Sequence, residues 1–243
     1  ERMRLFGFSR WWRLFKEQRW PSREFHDFRQ QTEALFRAIA DVSGRAVVVD
    51  SSKSPLRAAW LTRMPGLDVR LLHLVRDARA VAWSRAKAYK ADVQAGITRE
   101  FLPKPAWISA GYWLWVNLIS LWLRRVHKAT SLELRYEDFV SQPAAAMNRI
   151  GAWSGFEVAA TTRALLDGQP LHPEHTIAGN RLRMSGSVTL KPDWEWTDKL
   201  PRWDRAVCWL MTGWLLKRFG YSRRAVPPFN GSPKSLVLSR VAE

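Results

Sequence analysis

The sequence predicts a mixed α/β chain, three layers built on a parallel sheet, and three observations carry that reading. Two short apolar runs, Val47-Val48-Val49 and Leu71-Leu72-His73-Leu74-Val75, have the length and near-continuous hydrophobicity of strands covered on both faces. Segments with apolar residues at helical spacing separate such runs, the alternation from which parallel sheets are wound. The chain has 243 residues, 47% of them apolar, enough for one α/β domain with its own core.

Residues 1–20 interleave Arg with Leu, Phe and Trp, as in Arg10-Trp11-Trp12-Arg13-Leu14-Phe15-Lys16. That is the pattern of a basic amphipathic helix, which could lie on a membrane surface or pack its apolar stripe on another part of the protein. Pro21-Ser22-Arg23-Glu24 starts a second helix, with Phe25, Phe28, Thr32, Leu35, Phe36 and Ile39 at helical spacing and Gly44 as its stop. A strand over Ala46–Asp50 follows, then a short helix over Ala58–Arg63 closed by Pro65-Gly66. The strand Val69–Val75 leads through Arg76 to Asp77, which starts a helix running to Lys87. A long helix from Trp107 to Arg125 has no charged residue between Lys104 and Arg124 and just reaches the length of a membrane span. Ser109, Gly111, Tyr112, Asn117 and Ser120 dilute it, and a buried core helix is the preferred reading. Leu132–Arg135 is the next strand, and Pro143 opens a helix that Gly155 closes. From Gly168 to Pro201 the sequence reads as a long ordered loop. A final helix over Trp203–Phe219 precedes a tail rich in Pro and Gly. The expected organisation is one domain over residues 1–243, with a helical part (1–45), an α/β core (46–166), a closing loop (167–202), and a C-terminal helix and tail (203–243).

The formal net charge is +17, from 39 Lys and Arg against 22 Asp and Glu, which implies anionic partners. The basic residues are scattered along the chain instead of forming one tract, as a genomic base composition favouring Arg over Lys would leave them, and no specific nucleic acid is expected. A basic protein that binds nucleic acid or a membrane surface through charge alone is an alternative; it requires steeply salt-dependent binding. Most of the 15 Trp read as core or membrane-interface residues, Trp60, Trp83, Trp113, Trp115 and Trp122 among them. The one Cys, Cys208, cannot form an internal disulfide, and the start of the chain has no secretory-signal pattern, so a reducing cytoplasm fits, with membrane-peripheral placement through residues 1–20 as a variant.

Arg76 stands at a strand's carboxyl end, where open α/β sheets bind ligands, and Ser84 lies near two helical turns beyond Asp77. A guanidinium and a hydroxyl so placed read either as a phosphate clamp or as a surface Arg and an incidental helical Ser. Lys53, just past Asp50, would project over the same sheet edge. Asp50 could serve as a base or could cap the helix begun near Pro55, and the cap is preferred; Ser51 and Ser52 could contact a ligand or cap. Glu137 and Asp138 are expected to cap a helix or to pair with Arg135. His172-x-x-His175 lacks further ligands at metal spacing, so no metal is assigned. No nucleophile–base pair suggests covalent catalysis.

Val47-Val48-Val49-Asp50-Ser51-Ser52-Lys53-Ser54-Pro55, then His73 through Ser84, then Leu134-Arg135-Tyr136-Glu137-Asp138-Phe139, with Gly179-Asn180-Arg181-Leu182-Arg183 and Asp193-Trp194-Glu195-Trp196 further on, resemble in order and spacing the sulfotransferases of bacterial type. The resemblance covers most of the chain. It implies a fold like that of P-loop NTPases, 3'-phosphoadenosine 5'-phosphosulfate (PAPS) as sulfuryl donor, adenosine 3',5'-bisphosphate (PAP) as product, and no metal. It places the donor's 3'-phosphate on Arg76 and Ser84, and it closes Gly179, Asn180, Arg181 and Arg183 over the nucleotide, though these arginines could instead pair with Glu174 or Asp193. Trp194 or Trp196 could stack on a base or anchor the loop. Lys53, where many relatives carry His, would stabilise charge on the bridging oxygen or act as base, with Asp50 the alternative. The acceptor would be a hydroxyl or amine of a small molecule, lipid or sugar. The family's glycine-containing loop for the 5'-phosphosulfate has no counterpart upstream of Val47, since Gly7-Phe8-Ser9-Arg10 follows no apolar strand. The expectation is that the chain begins after that strand, loop and helix, with a truncated or degenerate nucleotide-binding module without catalysis as the alternative.

Overall fold

Residues 22–45, 47–87, 102–170 and 193–224 are described by the computed structural model. They fall into two compact units, the described residues up to Leu71 with 119–128, and those of 72–118 with those from 129 onward.

In the first unit, α1 (Arg23–Ser43) begins where the sequence places it. The Ser22 hydroxyl accepts a hydrogen bond from the Phe25 amide at 3.3 Å, and Gly44 ends the helix at φ 64°, in the left-handed region where glycine is at no disadvantage. The next helix, α2 (Pro55–Leu61), starts three residues before the expected Ala58 because Ser54 caps it, accepting from the Arg57 amide at 3.3 Å. Proline at the first helical position forfeits no hydrogen bond there. Leu56, Ala59 and Trp60 are buried, and the Trp60 ring meets Phe25 at 4.4 Å between centroids. The expected strand over Ala46–Asp50 does not form within its described part, 47–50. Val47 is 50% and Val49 85% exposed. Valine favours strands only where a neighbouring strand takes its backbone hydrogen bonds and a packed surface takes its side chain, and among the described residues no strand pairs with this run.

The second unit holds a parallel sheet of two strands, β1 (Leu71–Val75) beside β2 (Ser131–Arg135). His73 and Val75 are buried on one face of β1, while Leu72 and Leu74 on the other are about half exposed. The helix α4 (Ala106–Val126) covers the buried face. His73 Nε2 lies 2.9 Å from Asn117 Oδ1, and Asn117 Nδ2 donates to the Trp113 carbonyl at 2.8 Å. Buried Ala106, Ser109, Ala110 and Trp113 give α4 the stripe of a core helix. Its outer face is apolar too, so by length and composition it could cross a membrane.

The remaining helices are α3 (Ala78–Ala86), α5 (Tyr136–Ser141), α6 (Pro143–Ser154), α7 (Ala159–Leu166), α8 (Glu195–Lys199) and α9 (Arg202–Arg218). Pro143 opens α6, and Gly155 closes it at φ 76°. Ala82, Ala106, Ala110 and Cys208 form one core cluster, small side chains that let α9 lie close on α3. Burial pushes the Cys208 thiol up to about 12, so it is an inert core group. Ala80, Trp196 and Leu200 form a second cluster that seats α8 on α3. That helix interrupts the segment read as a continuous loop from Gly168 to Pro201. The short helices α5 and α7 were likewise not foreseen.

Candidate functional site

The site is built around three consecutive residues at the end of β1. The Val75 carbonyl accepts from the Tyr221 hydroxyl at 3.2 Å, and the Arg76 carbonyl from Trp113 Nε1 at 2.8 Å. The Asp77 amide donates to Glu137 Oε1 at 3.1 Å. Each of these peptide groups is held by a side chain from a different part of the chain. Asp77 caps α3 by accepting from the Arg79 amide at 2.8 Å, as the sequence indicates. The Asp77 side chain is only 4% exposed, and its carboxylate receives Arg79 Nε at 3.0 Å and Nη2 at 2.7 Å. Arg79 also donates to the carbonyls of Ser222 (2.9 Å) and Arg223 (2.6 Å), and its guanidinium lies 4.5 Å from the Trp196 ring centre and 5.2 Å from that of Trp209.

On this fixed backbone the Arg76 side chain lies 4.7 Å over the Tyr136 ring, and its Nη2 donates to Asp193 Oδ2 at 2.7 Å. Its Nε is buried without a hydrogen-bond partner among the described residues. Arg76 therefore already holds one carboxylate and keeps one buried donor without a partner among the described residues. Ser84 is two turns along α3, exposed, and without a partner among the described residues. Beside it, Trp83 Nε1 (2.9 Å) and Lys87 Nζ (2.6 Å) donate to Glu195 Oε2, and Lys199 Nζ donates to Oε1 at 3.1 Å. Led by the Lys87 contact, these bonds hold the Glu195 carboxyl near 2.

Glu137 is the hinge of the supporting network. Burial raises its pKa above the ordinary value although the Tyr221 hydroxyl and the Asp77 amide both bond to it. Burial, with the adjacent Glu137, raises the Tyr221 phenol as well. Glu137 Oε2 lies 2.5 Å from the Tyr221 oxygen. The Tyr221 hydroxyl is the donor in this contact and lies within hydrogen-bond reach of both Glu137 and the Val75 carbonyl. A cavity of about 230 Å³, lined in part by Arg79, Arg135, Trp194 and Tyr221, adjoins the network. Arg135 stacks 4.3 Å over the Tyr221 ring and places Nε 3.8 Å from Asp138. Asp138 thus takes the expected pairing with Arg135, while Glu137 turns to Asp77 and Tyr221.

In the first unit Lys53 is exposed and adopts φ 60°, a left-handed conformation uncommon outside glycine. Asp50 accepts from the Ser52 amide at 2.9 Å and from Arg57 Nε at 2.6 Å. Burial works to raise its pKa, but the hydrogen bonds from Arg57 and Ser52 outweigh burial and hold it below the ordinary value. Asp50 is an ionised turn anchor, and the preferred reading of it as the cap of α2 gives way to Ser54. Gly179, Asn180, Arg181 and Arg183, with His172, Glu174 and His175, lie outside the described residues. Among the described residues no three His, Cys, Asp or Glu side chains are grouped to hold a metal ion. Trp196 is a buried anchor, Trp194 packs partly buried beside it, and Asp193 is the partner of Arg76.

Trp113, Tyr136 and Tyr221 are the site residues that sequence reasoning missed. Only Tyr136, placed directly after a strand end, carried a local signal.

A family model described as the sulfotransferase family matches residues 4–160. No curated protein and no solved structure matches the chain. The matched region covers more than half of the sequence and includes Asp50, Lys53, Arg76, Ser84 and the Tyr136-Glu137-Asp138 run that supports Arg76, and on this ground the chain belongs to the sulfotransferase family.

Proposed function

We propose that the protein transfers a sulfuryl group from PAPS to a hydroxyl or amine of a small molecule, lipid or sugar, by direct in-line displacement and without a metal. The observation that carries this reading is Arg76, a guanidinium on an immobilised strand end that already pairs with a carboxylate at 2.7 Å and has its Nε unsatisfied. A phosphate dianion presents the same acceptor geometry with more charge. The unengaged Ser84 hydroxyl supplies a second contact, so the residues present fit the 3'-phosphate of the donor. When bound, the donor supplies an activated sulfuryl group on a phosphate leaving group.

The protein's own part is position and charge. Arg76 and Ser84 bind and orient the 3'-phosphate. Lys53 neutralises charge on the bridging oxygen or, deprotonated, accepts the acceptor's proton. Asp50 would have to leave Arg57 to serve as base, which makes it the weaker candidate. Gly179, Asn180, Arg181 and Arg183 close over the nucleotide. A cytoplasmic or membrane-peripheral setting suits a nucleotide donor.

Calorimetric titration with PAP, against 5'-AMP, tests the reading. Saturable binding that requires the 3'-phosphate is expected, and equal affinities for the two nucleotides would overturn it. A second reading, nucleotide binding without transfer, is favoured by the engagement of Asp50 with Arg57. Tight PAP binding together with no turnover of PAPS across hydroxyl and amine acceptors would select it.

A further inference from the structure

Helix α9 is apolar on two opposite faces. Its inner face, Cys208, Thr212, Leu215 and Leu216, is fully buried. On the outer face, Trp203, Ala206, Leu210 and Trp214 follow one another at spacings of three and four residues and are exposed, Trp203 at 77%, Leu210 at 86% and Trp214 at 59%. At 1.5 Å per residue this line runs about 16 Å from Trp203 to Trp214. An apolar helix face of that extent turned outward marks an interaction surface. Cations close both ends, Arg202 before Trp203, and Lys217 and Arg218 after Trp214, all exposed. No acidic residue lies on the line, and α9 as a whole carries four cations and one anion, Asp204, a net charge of +3.

We propose that the outer face of α9 docks on an anionic lipid surface. Trp at both ends suits the headgroup level of a bilayer, where an amphipathic ring keeps its body in the apolar layer and its N–H in water. Leu210 between them reaches the acyl boundary, and the terminal cations meet lipid phosphates and carboxylates. A second copy of the chain fits the face less well. Antiparallel pairing sets Arg202 against Lys217 and Arg218, and parallel pairing sets each cation against itself, with no carboxylate on the line to relieve either arrangement. The proposal does not depend on the nucleotide.

The full chain is sedimented with vesicles of phosphatidylcholine alone and of phosphatidylcholine with phosphatidylserine, and the same is done for the triple variant Trp203→Gln, Leu210→Gln, Trp214→Gln. The wild type is expected to bind the serine-containing vesicles, more weakly as salt rises, and the triple variant to lose at least about tenfold in partition, as for any interfacial helix stripped of its apolar anchors. A matched thermal midpoint for the variant, whose altered side chains are all exposed, keeps the comparison one of binding. Equal partition of variant and wild type, or no partition of the wild type, overturns the proposal. A dimer in ultracentrifugation that the triple variant dissociates, without vesicle binding, overturns it in favour of a second copy.

Discussion

Residues 75–77 and residues 47–53 both combine an apolar run with the side chains expected to handle the donor, and they are built to different degrees. At the first, the Tyr221 hydroxyl, Trp113 Nε1 and Glu137 hold three successive backbone groups, and Arg76 is stacked and paired. At the second, Val47 and Val49 are exposed, no strand forms, and one ion pair, Asp50 with Arg57, steadies the turn before Lys53. The difference teaches that a strand end is fixed in place by partners that arrive from far along the chain, here as distant as residue 221. Strand propensity alone leaves such a run unsupported.

If that contrast is right, substitutions in the first region should be costly and those in the second mild. The largest effect is expected from Arg79→Ala, which leaves the Asp77 carboxylate buried and unpaired. A loss of about 3–5 kcal/mol in urea unfolding is expected, and a loss below 1 kcal/mol, on the scale of a surface ion pair, would break the contrast. Arg76→Ala should leave the fold intact and weaken PAP binding by about 1.5–3 kcal/mol, the scale of hydrogen bonds to a charged group; calorimetry reads it directly, and an unchanged affinity would sink the clamp.

Tyr221→Phe should cost about 1 kcal/mol of stability, a typical net hydrogen bond. Glu137 adds a sign to this. Its pKa is raised in the folded protein, so its contribution is fully present below the ordinary carboxylate value and is lost as pH rises through the raised one. Urea midpoints across that range should fall less with pH in Glu137→Gln than in the wild type, and parallel curves would mean that folding leaves the Glu137 pKa unshifted. The smallest effect is expected from Asp50→Asn, about 0.2–1 kcal/mol, as for a lightly screened ion pair. Because its pKa is lowered, that contribution is present above the ordinary carboxylate value and disappears as pH falls through the lowered one.

Much of the scaffold could be read before any coordinates. Gly44, Gly155 and Pro143 marked helix boundaries because each acts through its own backbone, and Asp77 announced α3 because its cap is local. The run Leu71–Val75 was legible as a strand. Val47–Val49 looked the same, since one sequence reports propensity and not the presence of a neighbour. Asp50 and Ser54 are both good caps, and the choice between them rests on a turn geometry that spacing does not encode. The short helices α5, α7 and α8 span too few turns for a period to show. Trp113 and Tyr221 were invisible as site residues because contacts across tens of residues leave no pattern in sequence.

The ion pair between Arg76 and Asp193 has a consequence for selectivity. An anion that takes Arg76 must first displace a carboxylate seated at 2.7 Å, so its apparent affinity is the difference between two pairings. A monoanion such as chloride exchanges like for like and gains almost nothing. A dianion gains the additional charge. If Arg76 takes the donor's 3'-phosphate as proposed, the resident carboxylate sets a threshold that weakens every competitor by the same amount and leaves the ligand of highest charge with the largest surplus.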